Sequence, residues 1–120
     1  MAMTEPAQAA ELIEKNRPRL EAFRAHYLYP TLLCFLAEAQ IRLGRADQAT
    51  TALDQAIARA ERSGVRWWDP ELHRVRALLA RQAGDSATAR EELLRAIATA
   101  EVQGSEAMRR RAISDLAGVP

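Results

Sequence analysis

The chain has few of the residues on which sheets, disulfides and membrane spans depend. Of its 120 residues, one is cysteine, five are proline, five are glycine and 5% are aromatic. Valine and isoleucine together number nine, whereas alanine occurs 25 times and leucine 14 times. Because sheets draw on β-branched and aromatic residues and helices on alanine and leucine, this composition predicts an all-α fold.

Other absences bear on location and partners. The single cysteine cannot form a disulfide within the chain, and the N-terminal residues lack the basic and apolar regions of a signal peptide. The longest stretch without a charged residue, 25–37, has 13 residues and is too short to span a bilayer. The net charge of +1 is too small to select nucleic acid or an anionic membrane. We therefore expect a cytoplasmic protein with neither of those partners.

A repeat of forty residues is the strongest pattern in the sequence. Residues 30–64 align with residues 70–104 without a gap, and 12 of the 35 pairs are identical. The identical pairs are Pro30/Pro70, Leu32/Leu72, Ala37/Ala77, Gly44/Gly84, Ala49/Ala89, Leu53/Leu93, Ala56/Ala96, Ile57/Ile97, Ala58/Ala98, Ala60/Ala100, Glu61/Glu101 and Gly64/Gly104. Such internal periodicity predicts that the chain is built from repeated structural units.

Each repeat predicts a pair of antiparallel helices. In the second repeat, Asp69 is expected to cap a helix that has Pro70 in its first position and ends at Gly84. Asp85 or Ser86 then caps a partner helix that a glycine stops in turn. Three alanine pairs, Ala37/Ala77, Ala49/Ala89 and Ala56/Ala96, stand at fixed offsets in both repeats, where small side chains let two helix axes approach closely. We expect them at the helix crossings.

The flanking segments predict further helices. Residues 7–25 are interpreted as half a unit, in which Pro18 is expected to bend or split the helix. Residues 105–117 predict a terminal helix capped by Ser105, so that residues 1–120 form a single domain. Four apolar residues lie on these outer helices: Leu12, Ile13, Ile113 and Leu116. Incomplete capping of this kind predicts self-association or docking to neighbouring repeat units.

The repeats resemble the tetratricopeptide repeat (TPR). In the first repeat, its key positions hold Leu33, Leu36, Ala37, Gln40, Gly44, Ala49, Leu53 and Ala56. The second repeat matches at Ala77, Gly84, Ala89, Leu93 and Ala96. It departs at His73 and Arg76, where large apolar residues are usual, and the period is about six residues longer than the standard one. The resemblance covers about residues 7–117 and implies an all-α, right-handed, TPR-like solenoid of antiparallel helix pairs.

One segment is similar to a narrower bacterial group. Residues 61–74, together with 35–39 and 111–116, resemble the C-terminal TPR region of large signalling proteins. Those proteins join a class III nucleotidyl cyclase domain to a signalling ATPase, and related ATP-dependent transcriptional activators carry similar repeats. No cyclase or ATPase motif is present in this chain, so the resemblance does not imply those activities.

The expected function is a non-catalytic protein–protein interaction module in bacterial signalling or transcriptional regulation. An alternative is an effector-sensing regulatory segment of a larger cyclase, ATPase or transcriptional activator. A domain encoded beside the chain would favour this alternative, and a standalone reading frame would favour the first. A small helical enzyme would need a clustered acid–base pair, which the sequence does not reveal.

The sequence predicts no catalytic residue, metal or cofactor. It contains no G-x-x-x-x-G-K run, no G-x-S-x-G turn, no H-E-x-x-H and no cysteine pair. His26 and His73 stand at non-equivalent repeat positions, and we expect them in a loop and on a helix surface. Cys34 is expected to be a small buried hydrophobe rather than a nucleophile.

Helical phase and the resemblance together place one set of residues on a concave binding face. The set is Thr31, Cys34, Glu38 and Ile41 in the first repeat and Glu71, Arg74, Leu78 and Arg81 in the second. Mixed charge over an apolar floor suits a protein or peptide partner, whereas a solvated groove without a ligand is the alternative. Arg74 and Arg81 lie seven residues apart on one helix face. We expect both to be exposed and to make charge-assisted contacts.

Two shorter features are candidates for contacts with a partner. Trp67 and Trp68 lie between the repeats, where one indole is expected to wedge between helix pairs and the other to serve as an aromatic anchor. The three arginines at 109–111 are expected to form a solvated helix face, with a phosphate-contacting patch as the alternative.

Overall fold

The computed structural model describes residues 5–22 and 29–120, and of residues 20–22 it describes the backbone. Its elements are α1 (Glu5–Ala22), α2 (Tyr29–Arg42), α3 (Ala46–Ser63), α4 (Asp69–Gln82), α5 (Ser86–Gln103) and α6 (Glu106–Ala117). All the elements in these ranges are α-helices, so the predicted all-α class is confirmed. None of these helices combines the length and apolar character that crossing a bilayer requires.

The chain divides into two compact units. Unit 1 spans Met1–Val65 and contains α1 to α3, and unit 2 spans Arg66–Pro120 and contains α4 to α6. Within each unit the two helices of one repeat pack against each other, α2 on α3 and α4 on α5. The helix pairs predicted from the forty-residue repeat are therefore confirmed. A single domain over residues 1–120 stays a prediction.

Glycines in the left-handed conformation end the first helix of each pair. Gly44 has a φ of 74° and Gly84 a φ of 83°. A Cβ atom at either position would lie in open space, so the positive φ itself, rather than crowding, favours glycine there. The chain then folds back, and the amide of Arg45 donates to the carbonyl of Gln40 at 2.8 Å. This geometry closes a helix and lets the partner helix begin after a short turn.

The helix starts follow the sequence less closely. Of the two predicted caps of α5, Asp85 and Ser86, the structure has Asp85. Its carboxylate accepts a hydrogen bond from the amide of Thr88 at 3.1 Å. The side-chain and backbone hydrogen bonds with Thr88 lower the pKa of Asp85 below its ordinary value. The predicted cap at Asp69 is wrong by one residue, because α4 begins at Asp69 with Trp68 before it. The carboxylate of Asp69 accepts instead from Arg66 Nε at 2.8 Å.

Alanines fill the contact between the two helices of each pair. Among the nearly inaccessible ones are Ala37, Ala49 and Ala56 in unit 1 and Ala77, Ala89 and Ala96 in unit 2. Ala58 and Ala98 are exposed, although they are identical between the repeats as well. The buried set is therefore selected by helical phase and not by the abundance of alanine. Larger side chains, among them Leu36, Leu93 and Val75, complete the packing.

The outer helices agree with the prediction in part. Pro18 lies inside α1, which continues to Ala22 without splitting, although proline removes one helical hydrogen bond. The last residues of the predicted half unit, 23–25, and His26 fall outside the described residues. The terminal helix α6 is confirmed, and Ser105 precedes it without a side-chain capping bond.

Tryptophan substitutions test the helix crossings. Ala56→Trp and Ala96→Trp should each lower the free energy of unfolding by roughly 1–3 kcal/mol or more, because an indole overpacks a close helix contact. Ala58→Trp and Ala98→Trp are matched controls two residues away on the exposed side, and they should cost less. Urea denaturation followed by circular dichroism measures the difference. Equal losses in all four variants would contradict the assigned phase.

Candidate functional site

The structure buries much of the face that was predicted to bind a partner in unit 1. Thr31, Cys34 and Ile41 are buried in α2. Glu38 is partly exposed and forms an ion pair with Arg42 at 3.3 Å. The expectation that Cys34 is a buried hydrophobe is confirmed. Of the four residues predicted here, Glu38 alone presents a charged group near the surface.

In unit 2 the predicted face is divided between core and surface. Glu71 is 2% exposed and Arg74 is 6% exposed, whereas Leu78 is half-buried and Arg81 is exposed. The expectation that Arg74 is a surface residue is therefore wrong. The structure does not present Arg74 and Arg81 together to solvent.

The buried charge of Arg74 is compensated by two carboxylates, and a second arginine contacts one of them. Its Nε lies 2.7 Å from Glu71 Oε2, and its Nη1 lies 3.0 Å from Asp115 Oδ2. Arg111 Nε lies 3.2 Å from the other carboxylate oxygen of Glu71. We call Glu71, Arg74, Arg111 and Asp115 the buried ion network. It links α4 to α6. Glu71 and Arg74 are the buried members, whereas Arg111 and Asp115 reach solvent, and the pairing offsets the cost of removing the charges of Glu71 and Arg74 from water.

His73 also differs from its prediction. Instead of lying on an open helix surface, it is half-buried, and its Nδ1 lies 2.8 Å from Glu92 Oε2 on α5. The second carboxylate oxygen of Glu92 lies 3.8 Å from Arg95 Nη1. The contact between His73 and Glu92 joins α4 to α5. Within the residues that the structure describes, no group of three His, Cys, Asp or Glu could hold a metal ion.

The tryptophan pair lies in the loop that precedes α4. The rings of Trp67 and Trp68 meet edge to face, with centroids 4.7 Å apart and planes at 66°. Trp67 is exposed and Trp68 is half-buried, so Trp67 is the one available as an aromatic anchor. The wedge between helix pairs stays a prediction.

Acidic partners accompany the three arginines of α6. Arg109 contacts Glu101 and Glu106 at 3.3 Å, and Arg110 contacts Glu106 at 3.1 Å. The third arginine of the run belongs to the buried ion network. The positive charge of this segment is thus largely offset locally, which disfavours a phosphate-contacting patch.

An apolar groove lies between α1 and α2 in unit 1. We call it the α1/α2 groove; its cavity is about 450 Å³, lined by Glu5, Pro6, Ala9, Leu12, Ile13, Phe35, Glu38, Ala39 and Arg42. Leu12 is 61% exposed and Phe35 is 43% exposed, so large apolar side chains face solvent here. The sequence placed Leu12 and Ile13 on an incompletely covered flank, but it gave no signal that Phe35 joins them.

A second cavity of about 470 Å³ in unit 1 is polar. We call it the polar cavity; it is lined by Glu14, Arg17, Leu36, Gln40, Arg45, Asp47, Gln48, Thr51, Ala52 and Gln55. Arg45 Nη1 donates to Gln40 Oε1 at 3.4 Å, which orients a buried amide toward the α2–α3 turn. No residue of this cavity belongs to the predicted binding face, because the cavity is formed by three helices and helical phase describes one helix at a time.

Arg17 organises the rim of the polar cavity. Its Nε donates to the Tyr29 hydroxyl at 3.0 Å, and its Nη atoms contact Glu14 and Gln55. Partial burial opposes the charge of the guanidinium, but the hydrogen bond to Tyr29 and the attraction of Glu14 outweigh it and raise the pKa of Arg17. The Arg59 guanidinium lies 4.4 Å from the centroid of the Tyr29 ring. Tyr29 is thus held between two cations.

Comparison with known proteins supplies a relative without a described function. No protein-family model and no solved structure matches the chain. The chain is similar to an uncharacterized protein of Rhizobium meliloti (strain 1021), with 39% identity over 84 residues. These residues are 69% of this chain but 8% of that relative, so the chain spans a small fraction of the relative's length.

Removal of Arg74 tests the buried ion network. Arg74→Met keeps most of the side-chain volume but removes the cation that lies 2.7 Å from the buried Glu71 carboxylate and 3.0 Å from Asp115, so it should lower the free energy of unfolding by about 3 kcal/mol. Arg76→Met is the matched control on the exposed side of the same helix, and it should change stability by less than about 0.5 kcal/mol. Chemical denaturation of both variants checks the difference. A loss no larger for Arg74 than for Arg76 would contradict the network's role.

Proposed function

We propose that the chain is a non-catalytic protein-interaction module, built as a TPR-like, right-handed solenoid, that binds a polypeptide in the α1/α2 groove. The observation that carries the proposal is the exposure of Leu12 and Phe35 above an apolar floor, with charged residues at the rim. Large apolar side chains exposed side by side in one groove are typical of surfaces that bind other proteins. We propose further that the module acts in the cytoplasm of bacteria, in signalling or transcriptional regulation.

The chemistry of the groove suits a polypeptide better than a metabolite. Its floor is provided by Ala9, Ile13 and Ala39, and Glu38 and Arg42 offer charge at the edge. An amphipathic helix or an extended peptide would bury apolar side chains on such a floor and keep its polar groups in water. The buried titratable groups of unit 2, in contrast, are bonded to one another and serve packing.

A peptide-selection experiment tests the proposal. The chain should enrich peptides with an apolar face from a phage library of random sequences, and Leu12→Glu should lower the affinity for the enriched peptides at least tenfold, because a charge then replaces an apolar side chain that the peptide would cover. Ile113→Glu is the matched control, since Ile113 is an exposed apolar residue on α6. Peptides that bind the wild type and Leu12→Glu equally would refute the groove as the site.

The polar cavity supports a second candidate, the sensing of a small effector. Arg45 and Asp47 line it, and neither forms an ion pair with another residue in the described ranges 5–22 and 29–120. One cation and one anion without ion-pair partners suit a zwitterion, whose carboxylate would meet Arg45 and whose ammonium group would meet Asp47. On this proposal the chain is a regulatory segment of a larger cyclase, ATPase or transcriptional activator.

Thermal unfolding in the presence of L-glutamine, a neutral zwitterion, tests this second candidate. Binding should stabilise the folded wild type by about 1.4 kcal/mol at ten times the Kd, and therefore raise its melting temperature. Arg45→Gln should abolish the shift, whereas Arg62→Gln, an exposed arginine of α3 outside the cavity, should keep it. A shift that is absent from the wild type, or retained in Arg45→Gln, would exclude this ligand class at the polar cavity.

A further inference from the structure

The outer face of α5 carries an apolar stripe that nothing in the described residues covers. Leu94 is 53% exposed and Val102 is 89% exposed, and Ala98 lies exposed between them. Positions four residues apart on a helix differ by about 40° in direction, so the three side chains share one face. We call Leu94, Ala98 and Val102 the α5 stripe.

The equivalent face of α3 is not apolar. The forty-residue repeat aligns Leu94 with Asp54 and Val102 with Arg62, while alanine occupies the middle position in both. Asp54 and Arg62 are exposed, as an ordinary solvated helix face requires. The helix pair therefore does not need apolar residues at these positions to fold. Packing within unit 2 therefore does not explain why the α5 stripe is apolar.

We propose that the α5 stripe of one molecule docks in the α1/α2 groove of a second copy. The stripe is a convex apolar ridge on one helix, and the groove is an apolar channel between two helices, which is the arrangement in which helices pack ridge into groove. Docking would cover Leu12 and Phe35 of one copy with Leu94 and Val102 of the other. The inference rests on the proposed function, because it names the polypeptide that occupies that same groove.

The charges at the edges of the two surfaces are complementary. Arg95 follows Leu94 and is held by Glu91 in an ion pair whose side chains are more than half exposed. Such a pair contributes little, and the second contact of Arg95, with Glu92, is long at 3.8 Å, so Arg95 can turn to the exposed groove acid Glu5 at small cost.

The proposed contact joins two different surfaces, the stripe of one copy and the groove of another, so it is heterologous. Each molecule keeps an unoccupied groove or stripe after the first contact, and association continues head to tail unless the arrangement closes into a ring. Because the proposed contact joins few large apolar side chains from each copy, we expect weak association that depends on concentration.

Sedimentation equilibrium of the full chain, from low micromolar to submillimolar concentration, tests the inference. The weight-average mass of the wild type should rise with concentration. The stripe variant Leu94→Asp with Val102→Arg introduces the residues that the first repeat carries at the same positions, so it should fold and remain monomeric. The groove variant Leu12→Glu should also remain monomeric. Ala58→Glu, on the polar face of α3 that is equivalent to the stripe, is the control and should associate like the wild type, and circular dichroism confirms that each variant is helical.

Mixing the two monomeric variants provides the decisive measurement. The stripe variant retains an intact groove and the groove variant an intact stripe, so the mixture should form a complex of one molecule of each and grow no further. A monomeric wild type, a groove variant that still self-associates, or a mixture that stays monomeric would each overturn the inference. If the wild type is monomeric but selects peptides in a way that Leu12→Glu abolishes, the proposed function stands and the second copy is the wrong occupant.

Discussion

The close approach of two helices at alanine contacts is the constraint on which both units depend. Where Ala56 and Ala96 lie, the partner helix leaves no room for a larger side chain, and each alanine is inaccessible to solvent. The positive φ of Gly44 and Gly84 reverses the chain so that this contact can form. Leucine and valine side chains then fill the space beside it. Positions away from the contact are less constrained, and the two repeats differ at many of them.

The differences between the repeats give the two units different properties. Where unit 1 buries Thr31 and Cys34, unit 2 buries Glu71 and Arg74, which is feasible because α6 supplies further charged partners. On the outer side, the polar face of α3 is replaced by the apolar α5 stripe. The two units share the same helix pair but differ in what surrounds it. Unit 2 has the buried ion network and the α5 stripe, and unit 1 has the α1/α2 groove.

Much of the fold could be predicted because it is encoded at short range. The forty-residue period, the turn glycines and the spacing of the alanines are each local patterns, and the structure has the helix pairs that they predict. Even so, the start of α4 was misplaced by one residue, since the carboxylate of Asp69 bonds to Arg66 rather than to the helix. The first residue of a helix depends on which donor a nearby carboxylate accepts from, and here the donor is a side chain and not a helix amide.

By itself, the sequence determined which residues form helices, where the helices turn and which alanines lie at the crossings, because helical periodicity is a property of one segment. Only the tertiary structure decided what each helix face meets. Arg74 was predicted to be exposed from its own helix, but Arg111 and Asp115 lie more than 35 residues along the chain, and α6 brings them to α4. Phe35 likewise becomes part of a groove because α1 lies beside it. A contact between segments that are distant in sequence produces no periodic pattern in either segment. The partner of a residue such as Arg74 is therefore known only once the tertiary structure places both segments.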